Sequence, residues 1–107
     1  MHTEWTEIHA EASKAASAAA DSYLDKYGDR STCGFSWVEV YGVKLNTLLG
    51  KQMAASGFTR YRKGVIMLWN PSKCHAQSVN CLEEGSRAYA AVLKQHGIDA
   101  YSASRLD

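Results

Sequence analysis

The order of strand-like and helix-like segments predicts an α+β fold, a ferredoxin-like βαββαβ sandwich that follows one N-terminal helix. Two strand-like runs are separated only by Lys63-Gly64, which is typical of a hairpin turn. The chain of 107 residues suits one domain, with a helix in residues 1–30 and the sandwich in 31–107. If residues 58–69 ran straight as one strand, a plain three-stranded α/β layer would result instead.

The N-terminal helix is predicted over residues 4–27, because apolar and small side chains recur there every three or four positions. Thr3 is the expected N-cap, and Gly28 can take the left-handed position after the last turn. The apolar stripe is rich in alanine, which lets a helix approach a bulky surface closely. We therefore expect this helix to cover the sheet face that the other two helices leave open.

Four strands are predicted, at 34–42, 58–62, 65–69 and 98–103. The first and third are apolar on both faces, so they are expected at the centre of the sheet. The second and fourth are more polar and are expected at its edges. Residues 105–107 are expected to form a tail.

Two further helices are predicted, one over 44–56 and one from Asn80 to His96. Asn80 with Glu83 three residues later resembles a capping box, which makes Asn80 the expected N-cap. Right-handed crossovers place both of these helices on the same face of the sheet.

Aromatic side chains are expected on the open face. The alternation along the first strand places Phe35, Trp37, Glu39 and Tyr41 on one side. Val38 and Val40 suit the side that the helices cover, and Trp69 of the neighbouring strand is expected to join the aromatic side. An exposed aromatic patch needs a covering element or a ligand. Besides the N-terminal helix, a second copy of the chain or stacked nucleic-acid bases could fill this role.

Charge is distributed unevenly, although the formal net charge is only +1. Residues 32–74 contain six bases and one acid, Glu39, which favours an anionic partner for this segment. Arg60, Arg62 and Lys63 could contact phosphates, or could keep an edge strand from pairing with another strand. The carboxylate of Glu39 is expected at the rim of the sheet, or bonded to a helix donor or to Arg105.

No catalytic motif or metal site is predicted. Cys74, His75 and Cys81 supply three of the four ligands that structural zinc needs, without the usual spacing. A nucleophilic pair of Cys33 with a histidine (His9 or His96) has no supporting local motif. We therefore expect neither a cofactor nor enzymatic activity.

The chain is expected to act in a cytoplasm, without a membrane segment. Its longest run of large apolar residues is only Val65–Trp69. Glu4, Glu7 and Glu11 stand where a signal peptide would carry positive charge. The odd number of cysteines also favours reduced thiols.

Several short motifs resemble small uncharacterised proteins of tailed bacteriophages and prophages. These motifs are Gly34-Phe35-Ser36-Trp37-Val38, Asn46-Thr47-Leu48-Leu49-Gly50, Trp69-Asn70-Pro71-Ser72 and Ser104-Arg105-Leu106-Asp107. The resemblance covers roughly residues 33–107 and brings no catalytic residues with it. It implies an accessory protein made in the cytoplasm of an infected bacterium.

The sequence therefore predicts a non-enzymatic binding protein that acts on a host or phage macromolecule, as a host-takeover or anti-defence inhibitor does. A protein partner is the first expectation, and the chain could also form a homodimer. A module that binds RNA or single-stranded DNA through the aromatic face and the basic edge is the alternative. The candidate binding residues are Phe35, Trp37, Tyr41, Arg60, Arg62 and Lys63.

Overall fold

The computed structural model describes residues 4–106, which form three helices and one four-stranded antiparallel sheet. In chain order the elements are α1 (Trp5–Tyr27), β1 (Gly34–Tyr41), α2 (Leu48–Ala55), β2 (Thr59–Arg62), β3 (Val65–Trp69), α3 (Val79–Gln95) and β4 (Ala100–Leu106). The α+β class is confirmed. The expected N-cap Thr3 and the last residue, Asp107, lie outside the described residues.

The strand order in the sheet is β2-β3-β1-β4, so β1 and β3 are central and β2 and β4 are edges, as predicted. Lys63-Gly64 reverses the chain: Arg62 pairs with Val65, and Gly64 has a positive φ of 78°. Residues 58–69 are therefore two antiparallel strands, and the three-stranded alternative is wrong. Val38 and Val40 pair with Leu68 and Ile66, and these four side chains form the sheet side of the core.

β4 is longer than predicted, because its end is part of the sheet. Arg105 pairs with Phe35, and Leu106 pairs with Gly34. The expectation of a tail from residue 105 is wrong for these two residues. Since β1 begins at Gly34, pairing along its whole length satisfies backbone groups that would otherwise lack partners.

Two helices begin at residues other than those predicted, because capping side chains set their first turns. α2 begins at Leu48 and not at residue 44, because the hydroxyl of Thr47 accepts a hydrogen bond from the Gly50 amide at 3.1 Å. In α3 the N-cap is Ser78, which accepts from the Cys81 amide at 3.3 Å. The predicted cap Asn80 lies inside the first turn, so the predicted capping box is wrong.

Asp29 explains why the α3 cap falls at Ser78. Its carboxylate accepts the Ser78 amide at 2.8 Å, and Cys33 forms an isolated antiparallel bridge with Ser78. These contacts hold the residue in an extended conformation immediately before the helix.

The helix α1 does not cover the open face, contrary to expectation. Its stripe packs into the same core as Val38 and Val40, and its main partner is α3. Trp5 lies edge-on against Phe58, and its indole N–H donates to the Ser56 hydroxyl at 2.9 Å. The physical reason is that α2 has only eight residues, which leaves room beside α3 on the helix side of the sheet.

Small side chains make the contact between α1 and α3 close. A Cβ atom on Gly85 of α3 would lie 3.4 Å from the carbonyl oxygen of Ala16 and 2.8 Å from the Cβ of Ser72. The alanine stripe thus does permit a close approach, as its composition indicates, but to a helix and not to the aromatic rings.

Candidate binding surface on the open sheet face

The strand register collects a set of aromatic and basic side chains on the face opposite the three described helices. Residues that pair directly across strands share a face. Trp37 pairs with Trp69 and Ala103, and Glu39 pairs with Met67 and Tyr101. The side chains that β1, β3 and β4 contribute to this open face include Phe35, Trp37, Glu39, Tyr41, Met67, Trp69, Tyr101 and Arg105.

Four rings on the open face contact one another in series, and we call them the aromatic row: Phe35, Trp69, Trp37 and Tyr61. Ring centroids are 5.4 Å apart for Phe35 and Trp69, and 5.6 Å apart for Trp69 and Trp37. The two tryptophan rings lie within 5° of parallel. Tyr61 continues the row, with its centroid 6.2 Å from that of Trp37.

A guanidinium group stands at each end of the aromatic row. The central guanidinium carbon of Arg105 lies 5.5 Å from the Phe35 centroid, and that of Arg62 lies 5.3 Å from the Tyr61 centroid. Both distances are within the range of cation–π attraction. The ends of the row are therefore positively charged.

Arg62 lies on the open face because β2 is irregular. The register with β3 shifts between Arg60 and Arg62, so the regular alternation of side chains is broken there. Strict alternation from Arg60 would put Tyr61 on the open face and Arg62 on the other. With the shift, both Tyr61 and Arg62 contact rings of the open face.

Trp37 is shielded from solvent by neighbouring rings, and not by any helix of the described residues. Its side chain is 8% exposed, whereas Trp69 is 48% and Tyr61 44% exposed. The residues that the row presents to solvent are therefore mainly Trp69 and Tyr61. Trp37 lies beneath them and contacts both of their rings.

Glu39 connects the row to its charged end. Its two carboxylate oxygens accept hydrogen bonds from the Trp37 indole N–H at 3.0 Å and from the Tyr41 hydroxyl at 2.8 Å. Arg62 donates to the same hydroxyl at 3.0 Å and lies 3.8 Å from the carboxylate. The bond to the carboxylate is the main reason that the pKa of Tyr41 is raised. The expected partners of Glu39, a helix donor or Arg105, are wrong.

The six candidate residues from the sequence do not form one cluster. Phe35, Trp37 and Tyr41 lie together on the open face, and Arg62 joins them there. Arg60 pairs with the core residue Ile66 and so projects on the helix side. Lys63 lies in the hairpin turn and is exposed.

Beside β2, at the hairpin end of the sheet, lies a cavity of about 270 Å³ that we call the basic cleft. Its charged lining residues are Lys44, Arg60 and Arg62, and its apolar lining includes Val65 and Ile66. Among the described residues, Lys44 and Arg60 have no carboxylate within salt-bridge distance. Sequence analysis missed Lys44 because only the fold brings the loop after β1 next to β2.

The cysteines near the start of α3 do not form a metal site within residues 4–106, where no group of three or more suitable ligands exists. The sulfur atoms of Cys74 and Cys81 lie 4.0 Å apart. Burial raises the pKa of the Cys81 thiol to about 12, so this thiol is protonated at neutral pH.

Cys33 does not pair with either of the histidines considered as its partner, because all three side chains have other partners. Cys33 is exposed, with its sulfur 3.5 Å from the Gln77 side-chain oxygen. His9 contacts the Tyr89 hydroxyl at 2.8 Å, and His96 contacts Glu11 at 3.1 Å.

Across the described part of the chain, no helix combines the length and the apolar character needed to cross a bilayer. Compared with models of protein families, with curated proteins and with solved structures, the chain matches none.

Proposed function

We propose that this protein is a small, non-enzymatic binding protein with a ferredoxin-like sandwich, and that it engages another protein through the aromatic row. The strand order β2-β3-β1-β4 supports the ferredoxin-like assignment, as does the presence of one helix in each of the two β-α-β crossovers. The N-terminal helix α1 is then an addition to the helix side of that sandwich.

The observation that most directly supports the proposal is the exposed aromatic row, which has an arginine at each end. Tryptophan, tyrosine and arginine are the residues that contribute most to the binding energy of protein interfaces. Here Trp69 and Tyr61 are about half exposed and are held in place by Trp37 and the Glu39 network. Such a rigid set of rings loses little conformational entropy when a partner binds.

The arrangement of Trp69 favours a protein partner over stacked bases. Trp69 already stacks on Trp37, so one flat side of its ring is occupied before any base binds. Its exposed half can still pack against the side chains of a protein. The phage-like motifs support a partner from the host or the phage, in the bacterial cytoplasm, and a role in host takeover or anti-defence.

Affinity capture from bacterial cytosol with matched variants tests the proposal. We expect at least one protein to be retained by the wild type and by Leu48→Ala, and lost with Trp69→Ala. Leu48 is a suitable control because it is 75% exposed on α2, away from the open face. If Trp69→Ala, with an unchanged unfolding midpoint, retains every protein that the wild type retains, the proposal is wrong.

A second candidate function is binding of single-stranded nucleic acid, and the basic cleft favours it. Arg62 lines the cleft and also lies 5.3 Å from the Tyr61 ring at the end of the aromatic row, so the two features meet at this residue. A strand could place phosphates at Lys44 and Arg60 while its bases contact Tyr61 and Trp69.

Fluorescence anisotropy with labelled single-stranded DNA and RNA tests this second candidate. Binding should weaken as salt rises, and Arg60→Ala should reduce both the affinity and the salt dependence. Lys51→Ala removes an equal charge from an exposed position on α2 and serves as the control. If no binding is detected at low salt, this function is excluded.

A further inference from the structure

The two edges of the sheet differ in their protection against pairing with another strand. β2 has four residues, a register shift and the side chains of Arg60 and Arg62. β4 has seven residues and pairs with β1 without a shift, from Ala100 to Leu106. Short length, irregularity and charge are the usual means by which an edge avoids further pairing. β4 has none of them between residues 100 and 104.

Half of the backbone groups of β4 point away from the sheet. The Tyr41 amide donates to the Asp99 carbonyl at 2.9 Å, which identifies this position as a hydrogen-bonded pair. Hydrogen-bonded and non-hydrogen-bonded pairs alternate in an antiparallel ladder. Tyr101, Ala103 and Arg105 therefore bond to β1. The residues whose N–H and C=O groups point outward are Ala100, Ser102, Ser104 and Leu106.

The outer edge of β4 is accessible over residues 101–106, whereas Ala100 is fully buried. Apart from β1, the element in extensive contact with β4 is α3. The Lys94 ammonium of α3 lies 4.5 Å from the Tyr101 ring centroid. Tyr101 is 47% and Leu106 65% exposed.

We propose that two copies of this protein pair through β4, antiparallel and centred on Ala103, so that their sheets join into one. In this register Ser102 lies opposite the partner's Ser104, and the two-fold axis repeats this pair. The outward N–H and C=O groups of Ser102 and Ser104, both exposed, then have hydrogen-bonding partners.

The side chains fit a second copy in the same register. On the open face, Tyr101 lies opposite the partner's Arg105, and symmetry repeats this contact. A guanidinium beside a tyrosine ring is favourable, and the two arginines do not face each other. Two-fold pairing of one surface with itself is also the commonest way in which soluble chains associate. The dimer would place two aromatic rows side by side on one continuous face.

Sedimentation velocity over a range of concentrations tests the dimer, with a proline as the selective probe. Ser102→Pro removes an N–H that points outward, so it costs no hydrogen bond within the monomer. We expect the wild type and Ser102→Val to dimerise, and Ser102→Pro to remain a monomer with an unchanged circular dichroism spectrum. A monomeric wild type, or a dimeric Ser102→Pro variant, would overturn the proposal.

Two further measurements on folded protein keep the test decisive if the proline variant does not fold. In the wild type, the Ser102 and Ser104 amides should exchange hydrogen slowly when the protein is concentrated and faster on dilution. Exchange that does not depend on concentration contradicts pairing through β4. Trp69→Ala should leave the dimer intact; if it abolishes the dimer, the copies associate through their open faces and the proposal is wrong.

Discussion

Glu39 organises the open face at the scale of single residues. Its carboxylate is the acceptor for both Trp37 and Tyr41, and the side chain is mostly buried. A buried donor that loses its acceptor keeps the cost of desolvation without the compensating bond. Glu39 therefore fixes the orientation of both the Trp37 and the Tyr41 ring.

Replacing Glu39 with alanine should lower the free energy of unfolding by about 1–3 kcal/mol, because the Trp37 indole N–H is left without an acceptor. Glu39→Gln should cost less, since the amide oxygen can still accept one of the two bonds. Urea unfolding monitored by circular dichroism measures both changes. Equal stability of the alanine variant and the wild type would contradict the role assigned to Glu39.

His9 should make the stability depend on pH. Burial and, secondarily, the charge of Lys73 lower the pKa of His9 in the folded protein below its ordinary value of 6.5. The unfolded chain then binds more protons between the two pKa values, so the contribution of His9 is complete above pH 6.5 and is lost as the pH falls through the folded pKa.

Unfolding free energies of the wild type and of His9→Gln across this pH range check the prediction. The wild type should lose stability more steeply than His9→Gln as the solution is acidified. Parallel pH profiles for the two proteins would show that His9 does not contribute. His96→Gln, which removes the histidine that contacts Glu11, is the control.

At the scale of elements, helix starts depend on contacts between distant segments. Ser78 caps α3 because Asp29 and Cys33 hold it in place, and three strands and one helix separate both residues from it along the chain. The local pattern around Asn80 and Glu83 also suits a cap, so sequence alone gives no reason to reject it. The position of Asp29 decides between the two.

Ser78→Ala should therefore destabilise the protein by about 1 kcal/mol, through loss of the side-chain cap on the Cys81 amide. Asn80→Ala should change the unfolding free energy much less, because Asn80 already lies inside the first turn. Thermal and urea unfolding of the two variants make the comparison. A larger loss for Asn80→Ala would contradict the assignment of the cap.

The placement of α1 also depends on distant segments of the chain. Its alanine stripe suits any surface that it must approach closely, so periodicity predicts the helix without predicting its partner. The short α2 and the small residue Gly85 on α3 decide that α1 packs on the helix side.

At the scale of the whole molecule, α1 is part of the only core that the described residues share. Trp5, Ile8 and Ala12 pack with Tyr89 and Leu93 in one cluster. Deleting residues 1–30 should therefore expose Tyr89 and Phe58 and abolish cooperative unfolding. Thermal unfolding followed in the near-ultraviolet checks this, and a cooperative transition in the shortened chain would show that residues 31–107 fold without α1.

The sequence by itself determined the element order, the hairpin at Lys63-Gly64, the central and edge strands and the aromatic side of β1. These features depend on local periodicity and turn preferences, which neighbouring residues specify. Only the tertiary structure decided the side on which α1 packs and the hydrogen-bonding partners of Glu39. It also decided that Arg62 lies on the open face and that Lys44 lies near Arg60 in the basic cleft. Those features depend on the register of strands and on the space left by distant elements, which no short stretch of sequence encodes.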